Sequence, residues 1–285
     1  MKTFKIASLF FLSFILLTLS SCQNEPLDGD FSFETDGEID TPTGGGSSGD
    51  DGSGSPGGSS TGDYWPMAID NSWNYEFVID DVQQDDYAMT IDANVEYQSN
   101  SVFRFSEYLP TTTGTDGTEF EGLSITTYAR KNGGDYIVTA GDLEADYLDG
   151  LFSLTQTGYS YIVLKDYLEV GGTWSSTAQV VTEYTSLDPT FPDLPSIVQN
   201  FEFDMEILEK GISLVVNGQT YNDVIKVKQV LNSSTPDFPD QIITSESNYY
   251  FALDVGLIKS VSNSLDVADN IQSTSTTELI DYTLN

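Results

Sequence analysis

Beyond residue 64, apolar residues recur at every second position, the period of a strand with one face buried. Trp73, Tyr75, Phe77 and Ile79 alternate with polar partners, and Tyr87, Met89, Ile91, Ala93, Val95 and Tyr97 alternate with Asp86, Ala88, Thr90, Asp92, Asn94 and Glu96. The pattern returns in Phe201, Phe203, Met205 and Ile207 against Glu202, Asp204 and Glu206, and again in Ile280, Tyr282 and Leu284. One wet face and one dry face point to antiparallel strands.

Turn chemistry agrees with that reading. Asn217-Gly218 separates Ile212 to Val216 from Tyr221 to Leu231, and these residues accept the two positive φ angles of a type I′ hairpin turn. Asn132-Gly133-Gly134 plays the same part between Leu123 to Arg130 and Tyr136 to Ala140. The spacing of Leu143 to Leu154 predicts a short helix, and the prolines of Asp188 to Ser196 predict a loop. The expected fold class is all-β: roughly ten to twelve antiparallel strands, a number at which a twisted sheet curls or splits, as a strongly curved sheet, half-barrel or sandwich. With no linker inside it, 64–285 reads as a single β domain.

The amino-terminal segment follows a different pattern. Lys2 and Lys5 precede the apolar run Ile6 to Leu19, and Leu19-Ser20-Ser21-Cys22 closes it with the sole cysteine. The run is shorter than the roughly 20 residues that cross a bilayer, and its flanks are those of a cleaved signal peptide at 1–21. The segment resembles a bacterial lipobox. That resemblance implies a diacylglycerol on Cys22 and a further acyl chain on the new amino terminus, an anchor stable with two or more chains. From Cys22 to Asp63 the chain is acidic, rich in Gly and Ser, and free of bases. Such a linker stays disordered and reaches on the order of 35 Å. Glu25, Asp28 and Asp30 resemble the acidic export signals of Bacteroidota surface lipoproteins, which implies an outer-membrane location facing outward; a tether facing the periplasm is the alternative.

Charge and missing residues narrow the chemistry. Against 45 acids stand 10 bases, a formal charge of −35, and no Lys or Arg occurs between Lys5 and Arg104. This excludes nucleic acid as a partner and leaves calcium as the one cofactor to consider, although no calcium-loop motif is present. With no histidine and the single cysteine committed to lipid, imidazole-based catalysis and most zinc or iron sites are excluded. Carboxylate and tyrosine chemistry remain.

Several segments together resemble a class of uncharacterised Bacteroidota lipoproteins with an all-β carboxy-terminal domain. They are Tyr64-Trp65-Pro66 followed by Asn71-Ser72-Trp73-Asn74-Tyr75, Val216 to Tyr221 running into Val224 to Val227, and Tyr249 to Ala252 with Val255 to Lys259. Val170-Gly171-Gly172-Thr173-Trp174 repeats the theme of a turn entering a Trp strand. The resemblance implies fold and location; it brings no site residue.

Candidate sites are therefore read from residue types. The 16 tyrosines and Trp65, Trp73 and Trp174 could stack on sugar rings, although strand aromatics ordinarily fill a core. Trp65, beside Pro66 at the domain entrance, is the one expected to be exposed and is the candidate ligand-binding residue. Asp80-Asp81 and Asp85-Asp86 could supply the carboxylate pair of a glycoside hydrolase, but acids around a hairpin loop are ordinarily solvated. Lys226, Lys228 and Lys259 are expected to form surface ion pairs. The favoured reading is a non-enzymatic binding or envelope-interaction module, with a glycan or another envelope protein as partner beside the membrane that holds Cys22. A half-barrel carrier of lipid or acyl chains is the alternative, and a carboxylate hydrolase the third.

Overall fold

In the computed structural model the described residues are 57–106, 108, 125–147, 151–190, 192, 194–266 and 268–285, all within the compact unit Gly49–Asn285. Cys22 and most of the linker lie outside them, as do Leu123 and Ser124. The chain runs through β1 (Ser72–Ile79), β2 (Val82–Gln83), β3 (Tyr87–Tyr97), β4 (Asn100–Phe105), β5 (Thr127–Asn132), β6 (Asp135–Ala140), β7 (Leu143–Tyr147), β8 (Phe152–Gln156) and β9 (Tyr159–Lys165). Longer strands follow: β10 (Thr173–Ser186), β11 (Leu194–Val216), β12 (Gln219–Thr235), β13 (Phe238–Ala252), β14 (Gly256–Leu265) and β15 (Ile271–Thr283).

All of them join one 15-stranded sheet in the order β7-β8-β10-β11-β12-β13-β14-β15-β1-β3-β4-β5-β6-β9, with β2 on the side of β1. The sheet is all-β and strongly curved, as the alternation predicts, but it holds more than ten to twelve strands. The excess comes from short segments that carry too few residues to show a period.

The helix expected at Leu143 to Leu154 is absent. β7 and β8 pair there instead, Tyr147 opposite Phe152. Leu148-Asp149-Gly150 lies between them in sequence, and an Asp-Gly step favours a hairpin over the helical spacing of the leucines. The loop expected over Asp188 to Ser196 is shorter, because β11 already begins at Leu194. Pro195 is tolerated there beside the irregularity between Thr182 and Tyr184 in the facing strand.

Turn residues set the register. Asn217 (φ 48°) and Gly218 (φ 79°) form the expected hairpin, Val216 opposite Gln219. Asp80 and Asp81 (φ 49° and 62°) and Gln98 and Ser99 (φ 48° and 63°) form two-residue turns of the same sign without glycine. Both close hairpins, Ile79 opposite Val82 and Tyr97 opposite Asn100.

The sheet is not closed into a barrel. Its terminal strand β9 rolls back over the concave face of β10, where Trp174 Nε1 donates to Ile162 O at 2.8 Å. Tyr161 stacks on Phe203 of β11 at 4.5 Å with the rings 2° from parallel. One end of the concave face is filled by Trp73, Tyr75, Met89, Ile91, Ile207, Ile225, Val227, Phe251, Ile258 and Leu279, with Phe105, Tyr136 and Val138 from the shorter strands. Trp73 Nε1 is satisfied by Val255 O at 2.7 Å.

Residues 57–63, which composition assigns to the linker, are seated on the domain. Thr61 N donates to Asp166 Oδ1 at 3.1 Å, and Ser60 Oγ donates to Asp166 Oδ2 at 2.6 Å. Gly134 N donates to Gly58 O at 2.7 Å. The domain therefore includes residues before Tyr64.

Candidate functional site: a neutral trough

Because side chains alternate across a strand, register alone says which residues share the concave face. Val227, Tyr249, Ser260, Thr277 and Phe77 form one rung across β12, β13, β14, β15 and β1. The next rung is Gln229, Ser247, Ser262, Ser275 and Ile79, and a third is Leu231, Ser245, Ser264 and Ser273. The apolar packing at one end of the concave face therefore gives way to a wall of hydroxyls on β13 to β15. The side chains there are small, whereas bulky residues fill the other end.

The wall is partly wet. Ser245, Ser260, Ser262, Ser273 and Ser275 are half-buried, whereas Ser247, Ser264 and Thr277 are buried. Ser247 and Ser262 hydrogen bond across the strands at 2.8 Å. Three other donors on this face have no partner: Gln229 Nε2, Ser233 Oγ and Ser264 Oγ, on residues 4%, 8% and 8% exposed. Leaving a buried polar group unpaired costs about 1–3 kcal/mol. A ligand that offers acceptors would pair with these donors.

Half-buried aromatics border the wall. Tyr249 on β13 donates to Gln229 Oε1 at 3.2 Å. Tyr159 and Tyr161 stand on Phe201 and Phe203 across the fold, and Tyr87 stacks on Tyr75 at 5.3 Å. Burial raises the phenols of Tyr159, Tyr161 and Tyr249 above the ordinary value, and that of Tyr87 to about 12. They stay neutral, so they act as rings and hydrogen-bonding hydroxyls.

Trp65 is not the exposed platform that its position beside Pro66 suggests. It is 1% exposed, with ring centroids 5.5 Å from Phe105 and 6.0 Å from Phe251. Entering the fold, Tyr64-Trp65 plugs the core. Asn71 behind them fixes the entry, its Nδ2 donating to Pro66 O at 3.0 Å and its Oδ1 accepting Asn285 N at 2.8 Å. Trp73 and Trp174 take the core role expected of strand aromatics, Trp73 fully buried and Trp174 half-buried.

Asp80-Asp81 is a turn pair, and Asp85-Asp86 lies exposed between β2 and β3. Asp80 Oδ1 accepts from Ser273 Oγ and Thr274 N at 2.9 Å each, pinning one hairpin to the next. The expected ion pairs are present on the convex face: Lys226 with Glu209 at 3.2 Å, Lys228 with Glu246 at 3.0 Å and Lys259 with Glu278 at 2.6 Å. Among the described residues no group of three or more acids could hold a metal ion.

A depression of about 500 Å³ lies on the convex side around Gln179, Asn200 and Asn232. Its amides already serve their neighbours: Gln179 Nε2 donates to Asn200 Oδ1 at 3.1 Å, and Thr244 Oγ1 donates to Asn232 Oδ1 at 2.9 Å. The trough is therefore the better candidate.

Sequence reading misses the trough because Ser and Thr occupy both faces of β13 to β15 there, which erases the period. Gln229 carried a usable signal. It sits on the apolar parity of Ile225, Val227 and Leu231, where an amide is out of place unless it has a task.

Searches against family models and against curated proteins found no match. Among solved structures, the chain is similar to a candidate lipoprotein from Parabacteroides distasonis, 14% identical, covering 77% of this chain and 98% of that one with a TM-score of 0.48. It is also similar to a candidate exported protein with YmcC-like fold from Bacteroides fragilis, 14% identical over 77% and 98% of the chains, with a TM-score of 0.41.

Proposed function

We propose that this chain is a non-enzymatic binding module, tethered through acylated Cys22 to the outer membrane and facing outward, which takes a glycan in the concave trough. The observation that carries the reading is the unpaired Nε2 of Gln229, set among Ser247, Ser262 and Tyr249. A sugar offers hydroxyls to such donors and a C–H face to tyrosine rings. An acyl chain offers neither, and the apolar end of the concave face is already filled by Trp73, Ile225 and Phe251. Those features support a glycan over the lipid-carrier alternative.

A glycan array probed with the full-length protein in detergent tests the proposal, with Gln229→Met as the site control. Wild-type binding that the variant loses at least tenfold supports it. An array with no wild-type signal, together with phospholipid retained in native mass spectrometry, would move the assignment to the carrier. Location is tested separately: Cys22→Ala should release the protein from the membrane fraction, and proteinase K on intact cells should remove the β domain.

A further inference from the structure

We infer that the trough selects uncharged glycans and rejects those bearing uronate, sulfate or phosphate groups. The inference rests on the glycan-binding reading and adds the class of sugar.

Lys2 and Lys5 apart, every cation in the chain is among the described residues, and none stands on the trough wall. Lys226, Lys228 and Lys259 sit on the parity opposite Gln229, Ser247 and Ser260 and are paired with acids on the convex face. Arg104 is held by Asp92 at 2.8 Å. Lys131 and Lys210 serve the seat of residues 57–63, reaching Asp63 at 3.1 Å and Asp166 O at 2.9 Å. Lys165 pairs with Asp135 at the end of β9 remote from Tyr159. Arg130 alternates with Ala129, which faces the core, and so points outward.

The rungs themselves carry no acid either, only hydroxyls, one amide, aliphatic groups and rings. An anionic sugar entering the trough would lose water from its charge and find no cation to replace it. It would also approach a molecule whose formal charge is −35. Desolvation without a partner and long-range repulsion act in the same direction. A neutral sugar meets neither obstacle and offers acceptors to Gln229 Nε2 and Ser264 Oγ, two of the three buried donors left open on this face.

The test uses matched polysaccharides on the full-length protein in detergent: glucan, mannan and galactan against polygalacturonate and sulfated galactan. Neutral polymers should bind, with the acidic ones at least tenfold weaker, and added salt should narrow that ratio. Ser262→Lys, at a half-buried position, should bring in the sulfated polymer; a circular dichroism spectrum like that of the wild type establishes that the variant is folded. Acidic polymers that bind as tightly as neutral ones would overturn the selectivity and leave the glycan reading standing. No binding to any of the polymers, on the other hand, would overturn the glycan reading and the selectivity with it.

Discussion

The Tyr249 hydroxyl lies 3.2 Å from Gln229 Oε1, a diagonal contact between β13 and β12 that uses one end of the amide and leaves Nε2 without an acceptor. Most buried amides stabilise a fold by pairing at both ends. This one is half-paired and faces hydroxyls that are half-buried, an arrangement that stability alone does not explain.

Gln229→Met should therefore leave the free protein within about 1 kcal/mol of wild type in urea unfolding, because removing an orphan donor offsets the lost Tyr249 bond. A loss of several kcal/mol would mean that the amide is a structural group and would count against the trough.

Gly256 has φ 113°, and a Cβ there would lie 3.2 Å from both Trp65 Cδ1 and Trp73 Nε1. Gly256→Ala should cost about 1–3 kcal/mol through the strained backbone, with a further penalty from crowding two core rings. Thermal unfolding measures it, and a variant as stable as wild type would contradict the plugged-core account of Trp65.

Asp166 is fully buried and receives Ser60 Oγ and Thr61 N, while its own carbonyl accepts Lys210 Nζ. Asp166→Asn should weaken the charge-assisted bonds, each worth about 1.5–3 kcal/mol, and unseat residues 57–63. Limited proteolysis is the readout: the variant should be cut within this segment faster than wild type, with the β domain left intact.

The tyrosines set an alkaline limit. Tyr75, Tyr159, Tyr161 and Tyr249 have phenols raised by burial, and Tyr87 reaches about 12. In the unfolded chain a phenol ionises near about 10, so above that pH unfolding releases protons that the folded state retains. The contribution of these groups is complete below about 10 and is lost as pH rises through the folded values. Phenolate absorbance for the buried set should appear together with unfolding; ionisation of all tyrosines near 10 with the fold intact would contradict the burial.

Much of this fold was legible from residue patterns, and the exceptions have physical causes. Asn217-Gly218 announced its hairpin because few residue pairs accept two positive φ angles, while Asp80-Asp81 and Gln98-Ser99 reach the same geometry without glycine and gave no such sign. Leu143 to Leu154 mimicked a helix because its apolar spacing fits both periods. Trp65 was misplaced because nearness to Pro66 says nothing about which way a ring turns once the entering strand meets a core. The hydroxyl wall was hidden for a different reason: Ser245, Ser262 and Ser275 are assigned to the concave face only by their pairing with strands whose apolar parity is clear.

Hydrogen exchange with and without a neutral oligosaccharide that binds the full-length protein tests the central claim most directly. The account predicts added protection concentrated in 245–249, 260–264 and 273–277, with Gln229→Met abolishing it. Protection confined to the convex depression around Asn200 and Asn232, or spread over strands that line neither surface, would contradict the trough as the binding site.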